Sequence, residues 1–111
     1  MTAKELREKQ FYFTWMLCEL LMFARYNGYT VSLGDAFVPP DTYQVKDDGS
    51  MKRTHKVGSF HHERLAIDLN LFKDGVYLTK TEDHTPLGEF WESMGGVHGG
   101  RWNDGNHYQY E

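Results

Sequence analysis

Three short segments hold residues whose types and spacing could do chemistry: Ser59-Phe60-His61, Ala66-Ile67-Asp68 and Asp104-Gly105-Asn106-His107. Asp68 falls in the middle of the apolar run from Leu65 to Phe72, where an aspartate opposes β propensity and is costly if buried without a partner. Backbone donors or Arg64 could satisfy it. A cation would do so too, and two histidines brought near it by the fold would complete a set of one carboxylate and two imidazoles around zinc, leaving a fourth position for water. His61 and Asp68 are seven residues apart, which on one straight strand puts them on opposite faces. A turn through His62-Glu63-Arg64 therefore has to swing His61 round. Asp104 precedes His107 by three residues across a tight Asp-Gly-Asn turn, so that one of the two can bind metal while the other takes a proton from the attacking water. Metal-assisted hydrolysis needs that division of labour.

The elements that must position these residues follow from periodicity. In the run from Leu65 to Phe72, Leu65, Ile67, Leu69 and Leu71 point one way and Ala66, Asp68 and Asn70 the other, as in a strand with one face on a core. Lys73-Asp74-Gly75 predicts a hairpin turn into Val76-Tyr77-Leu78. Thr2 and Glu5 form a capping box for a long first helix, in which Phe13, Leu17, Leu20, Leu21 and Ala24 recur at helical spacing and Asn27-Gly28 supplies the exit. A strand is expected over Tyr29–Leu33. Between Asp41 and Gly58 the chain reads as a polar loop with Asp47-Asp48-Gly49-Ser50 as a turn and a basic run of Lys52, Arg53, His55 and Lys56. Thr85 is expected to cap a short helix with Pro86 at its first position and Leu87, Phe90, Trp91 and Met94 on one face; Gly95-Gly96 stops it, and a strand from His107 to Tyr110 ends the chain. The result is an α+β fold in which a small antiparallel sheet carries the site on one face and the long N-terminal and short helices pack elsewhere.

The 111 residues are a length for one domain, spanning 1–111. Lys and Arg number 12 against 16 Asp and Glu, a net charge of −4, so nucleic acid is not an expected partner. The single cysteine, Cys18, excludes an intramolecular disulfide and any Cys-rich metal framework. The apolar stretch from Phe11 to Ala24 contains Glu19 and is shorter than the ~20 residues that span a bilayer. The mixed charges before it and the lack of a small-residue cleavage site are unlike a signal peptide, so no membrane insertion is expected, and synthesis in the cytoplasm is. His55, His62, His84 and His98 read as surface residues.

Together, Ser59-x-His61, Ala66-x-Asp68 and Asp104-x-x-His107 resemble the zinc peptidases of the M15 family, the D-alanyl-D-alanine carboxypeptidase and dipeptidase group that includes phage peptidoglycan endopeptidases. The likeness extends through Arg64-Leu65-Ala66-Ile67-Asp68-Leu69-Asn70-Leu71-Phe72, Asp74-Gly75, Leu87-Gly88-x-x-Trp91-Glu92 and Gly99-Gly100-Arg101. It implies a hedgehog/DD-peptidase-like fold, Zn2+ held by His61, Asp68 and His107, and Asp104 as general base. It differs in three places: many relatives have Gly where this chain has Arg64, an arginine after the aromatic where it has Val38, and Trp where it has His98. Ser59, Arg64, Arg101 and Trp102 are the candidate substrate contacts. The implied function is zinc-dependent hydrolysis of peptidoglycan peptides by a monomer of the phage endolysin type, made in the host cytoplasm without a signal peptide and acting on the wall after release. The alternatives are a D-Ala-D-Ala carboxypeptidase or dipeptidase, and a non-catalytic zinc-containing wall-binding or virion module.

Overall fold

A computed structural model describes residues 1–40, 43–53 and 59–111. Thr2 Oγ1 accepts the Glu5 N–H at 3.1 Å and the Glu5 carboxylate accepts the Thr2 N–H at 3.3 Å, so the expected capping box starts helix α1 (Ala3–Tyr26). α1 ends at Asn27, and Gly28, at φ +82°, turns the chain into strand β1 (Tyr29–Leu33). The next two strands, β2 (Tyr43–Val45) and β3 (Met51–Arg53), form an antiparallel hairpin of their own. This corrects the expectation of a plain loop from Asp41 to Gly58. Each strand has only three residues and β2 is exposed throughout, so no alternation of polarity marks them. The turn chemistry was legible: Asp48 Oδ1 accepts both the N–H and the hydroxyl of Ser50. His55 and Lys56 of the basic run lie outside the described residues.

Strand β4 (Ala66–Lys73) organises the main sheet. Along one edge it pairs with β1, Leu33 opposite Leu69 and Tyr29 opposite Lys73. The other edge is shared in succession by β7 (His107–Gln109), which faces residues 66–68, and β5 (Val76–Leu78), which faces residues 71–73; β6 (Val97–His98) pairs with the outer side of β7. All of these pairings are antiparallel. The β4–β5 turn places Asp74 at φ +52° and Gly75 at φ +78°, the mirror-image turn that suits strand twist. As the alternation predicted, Ile67, Leu69 and Leu71 enter the core with Leu65, under Phe13, Met16, Leu20 and Ala24 of α1, and Asp68 points to the other face. Helix α2 (Thr85–Ser93) adds Leu87 and Trp91, whose indole N–H donates to the Gln109 carbonyl at 2.8 Å. Its cap is His84 rather than the expected Thr85. A 3-10 turn, Thr81–His84, runs straight into the helix and Glu82 O already accepts the Thr85 N–H, so no side-chain cap is needed there.

Two histidines expected at the surface are in fact buried. His84 Nδ1 meets the Tyr108 hydroxyl at 2.7 Å, and His98 Nε2 donates to Gly105 O at 2.6 Å, its ring against glycines 88 and 100, where a Cβ would collide with it. Their partners are remote in sequence, which is why polarity alone misplaced them. Burial, with a smaller push from His98, lowers the His84 pKa from 6.5 to about 4. The unfolded chain then takes up a proton near pH 6.5 that the folded chain refuses until about pH 4. His84 should therefore cost stability as pH falls through that window, on the order of 2–3 kcal/mol. His84→Phe keeps the ring and deletes the titration, at a fixed cost for the Tyr108 hydroxyl it strands. Its denaturation midpoint should fall less steeply than wild type between those pH values, and parallel curves would contradict the assignment.

Candidate metal centre

His61 sits in a 3-10 turn, Phe60–Glu63, that does what the seven-residue spacing required. Ser59 Oγ accepts the His61 N–H at 3.2 Å and starts the turn. Arg64, at φ +59°, ends it in the left-handed region where glycine is more at ease than a residue with a side chain. Asp68 and His107 are direct cross-strand partners in the β4–β7 ladder, so their side chains share a face. Gly34 lets the chain pass alongside: a Cβ on it would lie 3.0 Å from the Asp68 carbonyl oxygen and 3.2 Å from the Asp68 Cβ.

The three side chains converge. His61 Nε2 lies 3.2 Å and His107 Nδ1 3.4 Å from Asp68 Oδ1, with one donor atom of each residue within 4.8 Å of the others. Each imidazole is oriented by its second nitrogen. His61 Nδ1 is 2.9 Å from the Ala36 carbonyl and His107 Nε2 is 2.7 Å from Gln109 Oε1. Both of these oxygens can only accept, so those nitrogens carry the hydrogens, and each ring in its neutral form presents its other nitrogen to Asp68 Oδ1 as an acceptor. That oxygen is buried and accepts no well-formed hydrogen bond among the described residues. Three acceptors facing one another repel unless a cation or a proton lies between them. Tetrahedral ligands bound at about 2.0–2.2 Å lie roughly 3.3–3.6 Å apart, close to the two spacings found here. The donor set thus fits a metal ion such as zinc.

Without metal, a proton serves instead. Burial opposes ionisation of Asp68, but hydrogen bonding and charge from His107 and His61 outweigh it and hold the carboxyl at about 2. Burial likewise opposes protonation of His61, and there Asp68 and the Ala36 carbonyl prevail and raise its pKa.

The other sequence candidates are more dispersed. Asp104 is exposed on the loop before β7; its N–H donates to Gly99 O at 2.9 Å and its carbonyl accepts from the His107 N–H at 3.1 Å. It borders a polar cleft of about 220 Å³ with Lys80, Thr81, His84 and Asn106, and it is not one of the three converging residues. Trp102 is exposed with its ring 5.8 Å from that of His107. Arg101 is held by Glu92 at 2.8 Å, Ser59 is buried as the turn's cap, and Arg64 lays its guanidinium 3.9 Å over the Phe37 ring. His62 is half-buried against the Val38 carbonyl at 2.7 Å. Sequence reasoning missed Gln109 and Ala36, the residues that orient the imidazoles; the Gln109 side chain shares the His107 face at i+2, a signal that was available.

Gln109→Leu should keep the strand and the Trp91 bond to its backbone while removing the acceptor behind His107. Metal affinity, read by competition with a chromophoric chelator, is expected to fall 10–100-fold. Unchanged affinity would show that Gln109 has no part in holding the ring.

Fold and site together define an α+β protein in which a turn and two paired antiparallel strands bring together a His-Asp-His trio that could hold a metal ion. The family model described as D-alanyl-D-alanine carboxypeptidase, of the M15 peptidases, matches residues 52–110, more than half of the chain and inclusive of all three converging residues, and the chain belongs to that peptidase family. No curated protein matches the sequence. No helix among the described residues is long and apolar enough to cross a membrane.

Proposed function

We propose that residues 1–111 form one zinc-dependent peptidase unit that hydrolyses peptide bonds in bacterial peptidoglycan, as an endopeptidase of the phage endolysin type. The observation that supports it most is the acceptor-only Asp68 Oδ1 faced by two imidazole nitrogens at 3.2 and 3.4 Å, inside the region that matches the peptidase family. His61 Nε2, Asp68 Oδ1 and His107 Nδ1 would hold zinc, which when bound supplies Lewis acidity to polarise the scissile carbonyl and acidify a water. The Asp104 carboxylate takes the proton from the attacking water and returns it to the leaving amine nitrogen. Arg64, beside Phe37, brings positive charge to the segment where similar sequences carry an arginine and this chain has the buried Val38. It serves there for the developing oxyanion or a substrate carboxylate. Trp102 offers an apolar wall next to His107, while Arg101 and Ser59 act through Glu92 and through the cap of the His61 turn. The substrate is a peptidoglycan peptide rather than nucleic acid, and the enzyme reaches it from the host cytoplasm after the membrane has been opened by another agent.

Incubation with purified sacculi, followed by mass spectrometry of the released fragments, tests this reading. Cleaved stem or cross-bridge peptides are expected. Release of terminal D-alanine alone would favour the carboxypeptidase activity in the family's description. Attachment to sacculi without any released fragment, with zinc bound, would overturn the enzymatic reading in favour of a wall-binding module.

A further inference from the structure

On the outward side of α1, Phe11, Trp15, Cys18, Met22 and Tyr26 follow one another at spacings of four, three, four and four residues, which aligns them in one stripe. All five are exposed, Phe11 at 60%, Trp15 at 68%, Met22 at 46% and Tyr26 at 82%, while the same helix covers the core with Phe13, Met16, Leu20 and Ala24 on its other side. The metal centre uses none of the five, and α1 lies outside the region that matches the family. An apolar stripe of this size lies at the upper end of what monomers expose, where such patches are often functional.

We propose that the stripe is the interface of a two-fold symmetric dimer, in which α1 packs antiparallel against α1 of a second copy. The spacing is what selects this occupant. A two-fold interface must be self-complementary, residue i meeting j while j meets i. Reversed about a point between Cys18 and Glu19, four of the five fall on one another, Phe11 against Tyr26 of the second copy and Trp15 against Met22, while Cys18 falls opposite Glu19. The area agrees with a weak association: at these exposures the three rings and the methionine leave roughly 500–600 Å² open on each copy, so the pair covers at most about 1,100 Å², the range of transient interfaces. A weak, concentration-dependent dimer is therefore expected in place of the monomer read from the sequence. An anionic lipid surface suits the stripe less well, because Glu8 and Glu19 flank it and the chain carries a net charge of −4.

Sedimentation equilibrium of the full chain from micromolar to sub-millimolar concentration tests the proposal. The average mass should rise from 13.0 kDa toward twice that value, and a short bis-maleimide should link two copies through Cys18, which lies beside the axis. Trp15→Glu alters an exposed position and should keep its circular dichroism, yet weaken association at least about 30-fold and abolish the cross-link. Met22→Lys should do the same, and an equal mixture of the two variants should recover dimer, since the carboxylate introduced on one copy then faces the ammonium introduced on the other. A wild type that stays at 13.0 kDa without cross-linking would overturn the proposal. So would dimers that persist in Trp15→Glu, or a monomer that binds anionic vesicles through Trp15.

Discussion

Asp104→Ala should slow hydrolysis of peptidoglycan peptides by about 10²–10⁴-fold, the range for deleting a general base, while zinc content and the unfolding midpoint stay close to wild type. The two halves of that expectation come from different atoms of one residue. The Asp104 N–H and carbonyl hold the loop to Gly99 and His107 and are untouched by the substitution. Its carboxylate is exposed and lies outside the converging trio, so its removal takes away the proposed proton acceptor and leaves all three converging residues in place. Rates on released stem peptides, measured beside metal analysis of the same preparations, separate the two. If the variant cleaves as fast as wild type with metal bound, Asp104 is not the base, and Glu63 and Glu111 become the carboxylates to replace.

Loss of the centre itself is the other large effect expected. His61→Ala, His107→Ala and Asp68→Asn should each fail to retain zinc after dialysis, a deficit beyond the 10–100-fold that outer-shell changes cost, and should lose turnover with it. The pH dependence of wild-type affinity follows from the same geometry. On the proposed reading zinc competes with the proton that His61 holds toward Asp68, and that proton binds more tightly than to an ordinary imidazole because the His61 pKa is raised. Affinity should therefore fall as pH drops through the raised His61 value, which starts above 6.5. Asp68, ionised down to about 2, adds no slope in that range. A competition titration that gives one affinity from about pH 5 to pH 8 would remove His61 from the ligand set.

How far the sequence could be read depended on whether each signal was local. The α1 capping box, the Ile67-Leu69-Leu71 alternation and the Asp74-Gly75 turn are set by residues within a few positions of one another, and they appear as expected. The trio was legible by residue type, since an aspartate on the open face of an apolar strand demands a partner. Other features had no such local mark. The β2–β3 hairpin is too short and too exposed to show a period. His84 and His98 are made tolerable in the interior by Tyr108 and the Gly105 carbonyl, contacts that exist only once β7 and its preceding loop are in place. The Ala36 carbonyl behind His61 comes from a segment 25 residues away and carries no side-chain signature.

The rung that pairs Asp68 with His107 joins strands that leave the ribosome at different times. While β7 is still in the exit tunnel, a nascent chain displays His61 and Asp68 but neither His107 nor the Gln109 that orients it. The centre is completed by a late, long-range pairing, the kind of contact that forms slowly. Chains stalled at increasing length should take up zinc in one step, when β7 emerges, and gradual uptake beforehand would contradict this. On the proposed reading, strand order itself keeps the centre latent during synthesis.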